Sequence, residues 1–182
     1  MLSEGQPLTD TTQPAAARLP LELLQPLQRA FLVTDGTVTE FLEAYFLEPI
    51  EIRKLGTPPD RCDLIYRREV LLVGKVSQRS YVYARSTIWL ERLELQLREG
   101  LLATDKGIGR LLREYRLETY RQILHYWSEP AAALAGPLGT VAEEPLLART
   151  YDVYRQGQAI MRITEKFPAA LFERPTVMGN GS

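Results

Sequence analysis

Two pairs of alternating runs, each joined by a short turn, limit most strongly what this chain can fold into. The first pair is DLIYRREVLLVG and SYVYARSTIWL, and the second pair lies within LLARTYDVYRQGQAIMRITEKFP, with a turn near Gln156 and Gly157. Successive side chains of a strand point to opposite faces, so runs of this kind joined by short turns are typical of antiparallel hairpins. The sequence therefore predicts an antiparallel sheet built from hairpins.

The first third of the chain adds a strand and helices to this sheet. IEIRKL predicts another strand, and the Leu-rich stretch before Phe31 predicts short helical pieces broken at Pro26. Thr37 and Glu40 have the spacing of a capping box, which indicates a helix that ends before Pro49. A turn that faces a ligand is the alternative reading of the same residues.

The middle of the chain carries two more helical patterns. Residues 91–103 form one, and Arg110–Trp127 form the other, which places His125 late in a helix. Residues 128–145 are rich in Ala, Pro and Gly and predict a loop. Strands in hairpins together with a few helices indicate an α+β fold, a single domain with a mainly antiparallel sheet flanked by helices.

Chain length and composition suit one globular domain. The chain has 182 residues, 45% of them hydrophobic and 25% charged, which is ordinary for a soluble domain. Residues 1–18 are polar and predict a loose tail, 19–175 the domain, and 176–182 a second tail. Neither a signal peptide nor an apolar run long enough to span a bilayer is present, so we expect a soluble, cytoplasmic protein.

Charge and residue counts exclude several classes of function. The formal net charge of −1 gives no global field that would recruit nucleic acid or an anionic membrane. One cysteine, Cys62, excludes an intrachain disulfide and a multi-cysteine metal site. One histidine, His125, argues against a Ser-His-Asp triad and a histidine-rich metal site. We expect a protein that uses no metal.

Three charged residues interrupt faces that the alternation makes apolar. Glu165 shares a face with Met161, Ile163 and Phe167, although a carboxylate is expected on the solvent side. Arg68 and Arg85 each interrupt a largely apolar row in the first hairpin. Without a bulge, the two arginines are near cross-strand partners, which is unfavourable unless an anion lies beside them.

Two readings of these charges remain open at this point. A buried Arg–Glu–Arg cluster occurs in some proteins as a purely structural element. Alternatively, the arginines line a pocket for a ligand with two acid groups, because a guanidinium matches the two oxygens of a carboxylate. The loop KGIGR adds a weaker signal, since its backbone N–H groups either meet an anion or belong to an ordinary loop.

The order of five short motifs resembles the chorismate lyase family, also called chorismate pyruvate-lyase or 4-hydroxybenzoate synthase. The resemblance covers roughly residues 25–170. The matching segments are GTVT at Gly36–Thr39, Arg68-Glu69 in YRREVLL, Ala84-Arg85-Ser86, GIGR at Gly107–Arg110, and Thr164–Pro168.

The resemblance implies roles for particular residues. Arg68 falls on the arginine that binds the ring carboxylate, and Glu165 on the glutamate at the hydroxyl end of the ring; these two are the catalytic candidates. Val38, Ile108 and the adjacent Gly109 fall on positions that contact the product. Arg85 matches a second arginine that suits the other carboxylate of the substrate.

The sequence departs from the family pattern in three places. Val38 stands where the family has Met or Leu, Gly107 stands where it has proline, and residues 128–145 have no clear counterpart. The replacement of proline by Gly107 would loosen the lid over the site.

The implied function is elimination of pyruvate from chorismate to give 4-hydroxybenzoate, a precursor of quinone head groups. The match is closer to the photosynthetic-bacterial and plastid branch, which points to plastoquinone rather than ubiquinone.

The family needs no cofactor, and the resemblance leaves open a monomer or a weak dimer. Whether Glu165 acts as a base or hydrogen moves within the substrate also stays open. The competing hypothesis is a non-catalytic module of the same fold that senses a small aromatic acid, as in some transcription regulators.

Overall fold

Apolar residues at every second position produce the strands of this protein, as the alternation predicts. A computed structural model describes residues 19–56, 64–104 and 106–172. Within these ranges lie six strands: β1 Ile50–Leu55, β2 Ile65–Gly74, β3 Ser80–Trp89, β4 Tyr120–Pro130, β5 Pro145–Arg155 and β6 Gln158–Pro168. They form one antiparallel sheet in the order β1-β2-β3-β6-β5-β4. The predicted α+β fold with an antiparallel sheet is confirmed.

Helices cover both faces of the sheet, most of them on one face. They are α1 Pro26–Val33, α2 Val38–Phe46, α3 Leu95–Ala103, α4 Ile108–Glu114 and α5 Ala135–Leu138. Leu42 of α2 packs with Val70 and Leu72 of β2, and Leu111 of α4 packs with Ile163 of β6. Burial of a leucine side chain stabilises a fold by about 1.5–3 kcal/mol, so these contacts hold α1–α4 on the sheet. The short α5 packs against the opposite face.

The start of α1 shows how a proline fits a helix. A short 3-10 helix over Leu21–Leu23 ends before Pro26, which is the first residue of α1, so the predicted break between short helical pieces is confirmed. The fixed φ angle and missing N–H of Pro26 are tolerated there, because the first N–H groups of a helix have no intrahelical partner.

The helix predicted over Arg110–Trp127 is wrong for most of its length. Helix α4 ends at Glu114, the chain turns at Arg116 with a φ of 51°, and β4 follows as an edge strand. Pairing with β5 supplies the backbone hydrogen bonds of this segment and buries Trp127. Tertiary pairing thus overrides the local helical pattern. His125 lies on this strand, where burial and the charge of Arg162 lower its pKa.

The loop predicted for residues 128–145 is only partly present. β4 continues to Pro130, and α5 lies inside the segment. The rest connects these elements to β5.

The first hairpin is confirmed, but its register differs from the symmetric one. A shift near the turn places Arg68 opposite Ser86 and Arg85 opposite Glu69. One extra residue moves a side chain to the other face of a sheet. Arg68 is therefore buried, whereas Arg85 is exposed on the far face. The expected cross-strand pair of arginines does not exist.

The second hairpin turns at the predicted residues. Gln156 and Gly157 have φ angles of 50° and 78°, the positive values that a two-residue turn of a twisted hairpin requires. The predicted tails and Cys62 lie outside the described residues, so the domain boundaries 19–175 stay a prediction. Across the described ranges, we find no helix with the length and apolar character that crossing a bilayer demands.

Candidate active site

A cavity of about 70 Å³ lies between the sheet and the first turns of α2 and α4. Five of the six predicted site residues line it: Val38, Arg68, Ile108, Gly109 and Glu165. The walls are otherwise mainly apolar, with Ile52, Val70, Leu72 and Ile163 among them. The fold therefore brings residues that are far apart in the sequence to one small, largely apolar space.

Glu165 lies on the inner face of β6 and is held by two neighbours on β5. Its exposed fraction is 5%. Arg149 Nε donates to Glu165 Oε2 at 2.8 Å, and the Tyr151 hydroxyl donates to Oε1 at 3.1 Å. Each carboxylate oxygen has two lone pairs, so both oxygens can still accept a hydrogen bond from a ligand.

Arg149 is the main residue that sequence reasoning missed. It is fully buried, and its Nη1 donates to the backbone carbonyl oxygens of Phe31, Leu32 and Thr34 at 3.0, 3.0 and 2.9 Å. Arg149 therefore connects Glu165 to the end of α1. The same alternation test would have found it, because Arg149 interrupts the row of Leu147, Tyr151 and Val153 on β5.

The pair of Arg149 and Glu165 is electrostatically coupled. Burial alone would lower the pKa of Arg149, but the adjacent carboxylate outweighs this, so the pKa lies above its ordinary value. Burial, followed by the negative charge of Glu165, also raises the pKa of the Tyr151 hydroxyl. Tyr151 thus stays protonated and keeps donating to Glu165.

Arg68 approaches the cavity from β2. It is 4% exposed, and its Nη2 donates to the backbone carbonyl oxygen of Lys106 at 3.0 Å. Lys106 lies just before α4, so this bond ties the arginine to the segment that covers the cavity. A buried guanidinium beside an apolar space is suited to a carboxylate ligand.

The cover of the cavity consists of the first residues of α2 and α4. Val38 begins α2, and Ile108 and Gly109 begin α4. A Cβ at position 109 would lie 2.6 Å from Thr37 Cγ2, so glycine leaves room for the Thr37 side chain between the two helices. The KGIGR segment is thus part of the cavity wall.

Thr37 and Glu40 do not form the predicted capping box. Thr37 precedes α2, but its side chain makes no capping hydrogen bond. Glu40 pairs with Arg113 of α4 instead. This surface ion pair links the two helices that cover the cavity.

Arg85 is the one predicted site residue that does not reach the cavity. It is exposed on the far face of the sheet, across from Glu69. The expectation that it lies beside Arg68 and Glu165 is wrong, because the register shift in the first hairpin turns it outward.

Arg121 of β4 lines the cavity and was not singled out from the sequence. The helix predicted for this segment concealed its position, since only pairing with β5 brings it to the site. Arg68 and Arg121 give the cavity two cationic groups, and Glu165 gives it one carboxylate. With apolar walls, this set suits a small, ring-shaped acid.

Comparison with known proteins gives several relatives. The chain is 29% identical over 145 residues to "Putative lyase MJ0807" of Methanocaldococcus jannaschii, covering 77% of each chain. It is 25% identical over 158 residues to a chorismate pyruvate-lyase of Mycobacterium leprae, covering 80% of this chain and 75% of the relative. A chorismate pyruvate-lyase of Mycobacterium tuberculosis strain H37Rv is 27% identical over 109 residues, 59% of this chain and 55% of the relative.

Solved structures share the fold at low sequence identity. The effector domain of PhnF from Mycobacterium smegmatis has a TM-score of 0.54 and 17% identity, over 73% of this chain and 88% of that chain. A longer PhnF structure from the same organism has the same TM-score and identity over 75% of this chain and 65% of that chain. This architecture therefore also serves domains that are named for an effector.

The family model described as "Chorismate pyruvate-lyase Rv2949c-like" matches residues 32–174. This range contains the whole sheet and all residues named above as lining the cavity. The chain belongs to the Rv2949c-like chorismate pyruvate-lyase family.

Proposed function

We propose that this protein is a chorismate pyruvate-lyase, which converts chorismate to 4-hydroxybenzoate and pyruvate. The observation that carries the proposal is the placement of Arg68 and Glu165 in one buried, mainly apolar cavity. The family membership supports the reaction class. Further use of the product for a quinone head group, whether plastoquinone or ubiquinone, stays a prediction.

The reaction places modest demands on the protein. The C3–O bond to the enolpyruvyl group breaks, C4 loses its hydrogen, and the departing group gains that hydrogen as it becomes pyruvate. The ring becomes aromatic, which supplies the driving force. No external oxidant or reductant is needed, because the changes of oxidation state cancel within the substrate. The protein has to hold the ring in a reactive conformation and stabilise the charge that develops on the leaving group.

Arg68 is proposed to bind the ring carboxylate. Its bond to the Lys106 carbonyl fixes the direction of the guanidinium before a ligand arrives. A fixed donor loses little rotamer freedom on binding, so more of the interaction energy is available for affinity.

Glu165 is proposed to act on the C4 side of the ring. Its carboxylate accepts a hydrogen bond from the C4 hydroxyl and either removes the C4 hydrogen or orients the ring while that hydrogen moves directly to the enolpyruvyl group. Arg149 and Tyr151 act as positioning residues, since they fix both carboxylate oxygens.

The cover formed by Val38, Ile108 and Gly109 is proposed to exclude water from the ring. In a dry cavity the contacts of Arg68 with a carboxylate are stronger than in water. The product keeps the carboxylate and the hydroxyl, so it keeps both polar contacts. We therefore expect slow product release and inhibition by 4-hydroxybenzoate.

A non-catalytic effector-binding module is the second candidate. The likeness to the PhnF effector domain favours it, although that likeness concerns the fold alone. Incubating the purified protein with chorismate and quantifying 4-hydroxybenzoate and pyruvate separates the two. Formation of both products above the spontaneous rate supports the lyase; binding of 4-hydroxybenzoate without acceleration supports the module.

A further inference from the structure

We infer that Arg121 binds the second carboxylate of the substrate, the one on the enolpyruvyl group. This inference rests on the proposed function. It assigns to a residue of the edge strand β4 the role that the resemblance to the chorismate lyase family implied for Arg85. Three features of the described residues support it: position, bonding of the guanidinium, and the charge of an adjoining groove.

Arg68 and Arg121 reach the cavity on the same face of the sheet, from strands that lie on either side of β6 in the strand order. Between their strands, β2 and β4, lie β3, β6 and β5, a backbone separation of roughly 19 Å at the usual strand spacing. Both side chains nevertheless line the same cavity, and Glu165 of the intervening β6 lies between them. A ligand held at one end by Arg68 therefore presents its other end to Arg121.

The guanidinium of Arg121 is held in place through Nη1, whereas its Nε–H is not used by the described residues. Its side chain is 15% exposed, its Nη1 donates to the backbone carbonyl oxygen of Asp35, and the Asp35 carboxylate lies 3.5 Å from Nη1. The guanidinium also lies 5.8 Å from the ring centre of Tyr151. Nε is buried and has no hydrogen-bond partner among the residues that the structure describes. Buried donors are nearly always satisfied, so this N–H points to a ligand.

A groove of about 350 Å³ adjoins the cavity at Arg121. Arg113, Arg116 and Arg121 line it, and its lining includes no acidic side chain, although Arg113 is paired with Glu40 and Arg121 with Asp35. Thr37 and Gly109 belong to both the groove and the cavity. A positively charged groove of this kind raises the local concentration of a dianion and leads it to Arg121.

The chemistry of substrate and product gives Arg121 a distinctive signature. Chorismate carries a ring carboxylate and an enolpyruvyl carboxylate, whereas 4-hydroxybenzoate carries only the first. With the ring carboxylate at Arg68 and the hydroxyl at Glu165, the enolpyruvyl carboxylate is the remaining anion for Arg121. Arg121 should thus recognise the substrate and contribute little to binding of the product.

Arg121→Gln tests the inference. Arg85→Gln is the matched control, because it removes an exposed arginine outside the cavity. The KM for chorismate and the dissociation constant of 4-hydroxybenzoate are measured for both variants. We expect Arg121→Gln to raise the KM roughly 10- to 100-fold, the usual effect of losing a charge-assisted hydrogen bond. It should leave the 4-hydroxybenzoate constant within about twofold of wild type. Arg121→Lys should restore part of the loss, and Arg85→Gln should change neither value.

Three results overturn the inference. Equal weakening of substrate and product binding assigns Arg121 a merely structural role, and no change in either value removes it from the site. If the wild-type protein forms no 4-hydroxybenzoate, the proposed lyase function fails, and calorimetry then gives the affinity for intact chorismate directly. In that case selective loss of chorismate binding in Arg121→Gln still supports the carboxylate contact, and absence of chorismate binding to wild type refutes it.

Discussion

At the scale of single residues, the buried pair of Arg149 and Glu165 organises the site. Two charges removed from water are costly unless the geometry is good and the remaining donors and acceptors are satisfied. Here Arg149 donates to Glu165 and to three backbone carbonyl oxygens, and Tyr151 donates to the second carboxylate oxygen. Of the Arg149 donors, Nη2 alone is buried without a hydrogen-bond partner among the described residues. The pair thus fixes the direction of Glu165 and anchors α1 at the same time.

Replacing Arg149 by methionine should destabilise the protein. Loss of the guanidinium leaves the Glu165 carboxylate buried without its cation, which typically costs about 3–5 kcal/mol. Urea unfolding monitored by circular dichroism measures the free energy of unfolding. Arg85→Met, a change at an exposed arginine, is the control and should stay within about 0.5 kcal/mol of wild type. An Arg149→Met protein as stable as that control would contradict a structural role for the pair.

Replacing Glu165 by glutamine should lower kcat while 4-hydroxybenzoate still binds. The amide keeps the shape and one acceptor oxygen but cannot take up a proton at neutral pH, and loss of a proton-transfer group typically costs about 100- to 10,000-fold. Steady-state turnover of chorismate measures the effect, and Glu69→Gln on the exposed face of β2 is the control. Unchanged turnover in Glu165→Gln would remove this residue from the mechanism.

The sequence predicts the site only as far as two features allow: the alternation of side chains along each strand and the register in which neighbouring strands pair. Alternation identified Glu165 and Arg68 correctly as buried charges, and it would have identified Arg149 if applied to β5. It failed for Arg85, because a single register shift turns a side chain to the other face and leaves no mark in the pattern. The position of Arg121 could not be predicted from the sequence, since it depends on the pairing of β4 with β5.

At the scale of elements, local sequence and tertiary pairing agree for both hairpins and disagree for β4. The second hairpin carries a local turn signal in the sequence, Gly157, because glycine readily adopts the positive φ angle that it has there. β4 has no partner next to it in sequence, and residues 131–144 separate it from β5. Its helical pattern therefore loses to backbone pairing with β5, which no local window can detect.

Glu48 fastens the turn between β2 and β3. Its carboxylate accepts hydrogen bonds from the backbone N–H groups of Val76 and Ser77 at 2.8 and 2.9 Å, and also from the Tyr81 hydroxyl. The hydrogen bond from Tyr81 contributes most to the low pKa of Glu48, about 2, and those from Ser77 come next.

The low pKa of Glu48 predicts a pH dependence of stability. Because the folded-state value lies below the ordinary 4.5, the unfolded protein binds more protons between these two pH values. The contribution of Glu48 is complete above pH 4.5 and is lost as the pH falls towards 2. In Glu48→Gln the free energy of unfolding should fall less steeply over this range. Denaturant melts of both proteins across the range measure the difference, and identical slopes would contradict the assignment.

At the scale of the whole molecule, the sheet carries the charged groups and two helices close the space above them. Gly109 contributes to this closure, because a Cβ at its position would clash with the Thr37 side chain. The contact between α2 and α4 therefore sets how tightly the ring of a ligand is enclosed.

Gly109→Ala should weaken binding of 4-hydroxybenzoate. The added Cβ would lie 2.6 Å from Thr37 Cγ2 and 3.4 Å from its Cβ, so Thr37 must shift, and we expect α2 and α4 to move apart and open the cavity to water. Gly136→Ala in α5 is the control, since a Cβ there meets no atom within 4 Å. Fluorescence or calorimetric titration gives the dissociation constants; equal affinity of the two variants would show that this contact does not govern enclosure.

Conversion of chorismate in the cavity around Arg68 depends on the buried guanidinium that we propose as the carboxylate contact. The most direct measurement is kcat/KM for chorismate in wild type, Arg68→Gln and Arg85→Gln, with 4-hydroxybenzoate and pyruvate quantified together. We expect equal amounts of both products, a fall of roughly 10- to 100-fold in Arg68→Gln from the lost carboxylate contact, and little change in Arg85→Gln. Wild-type kinetics in Arg68→Gln, or no product above the spontaneous rate in wild type, would contradict catalysis in this cavity.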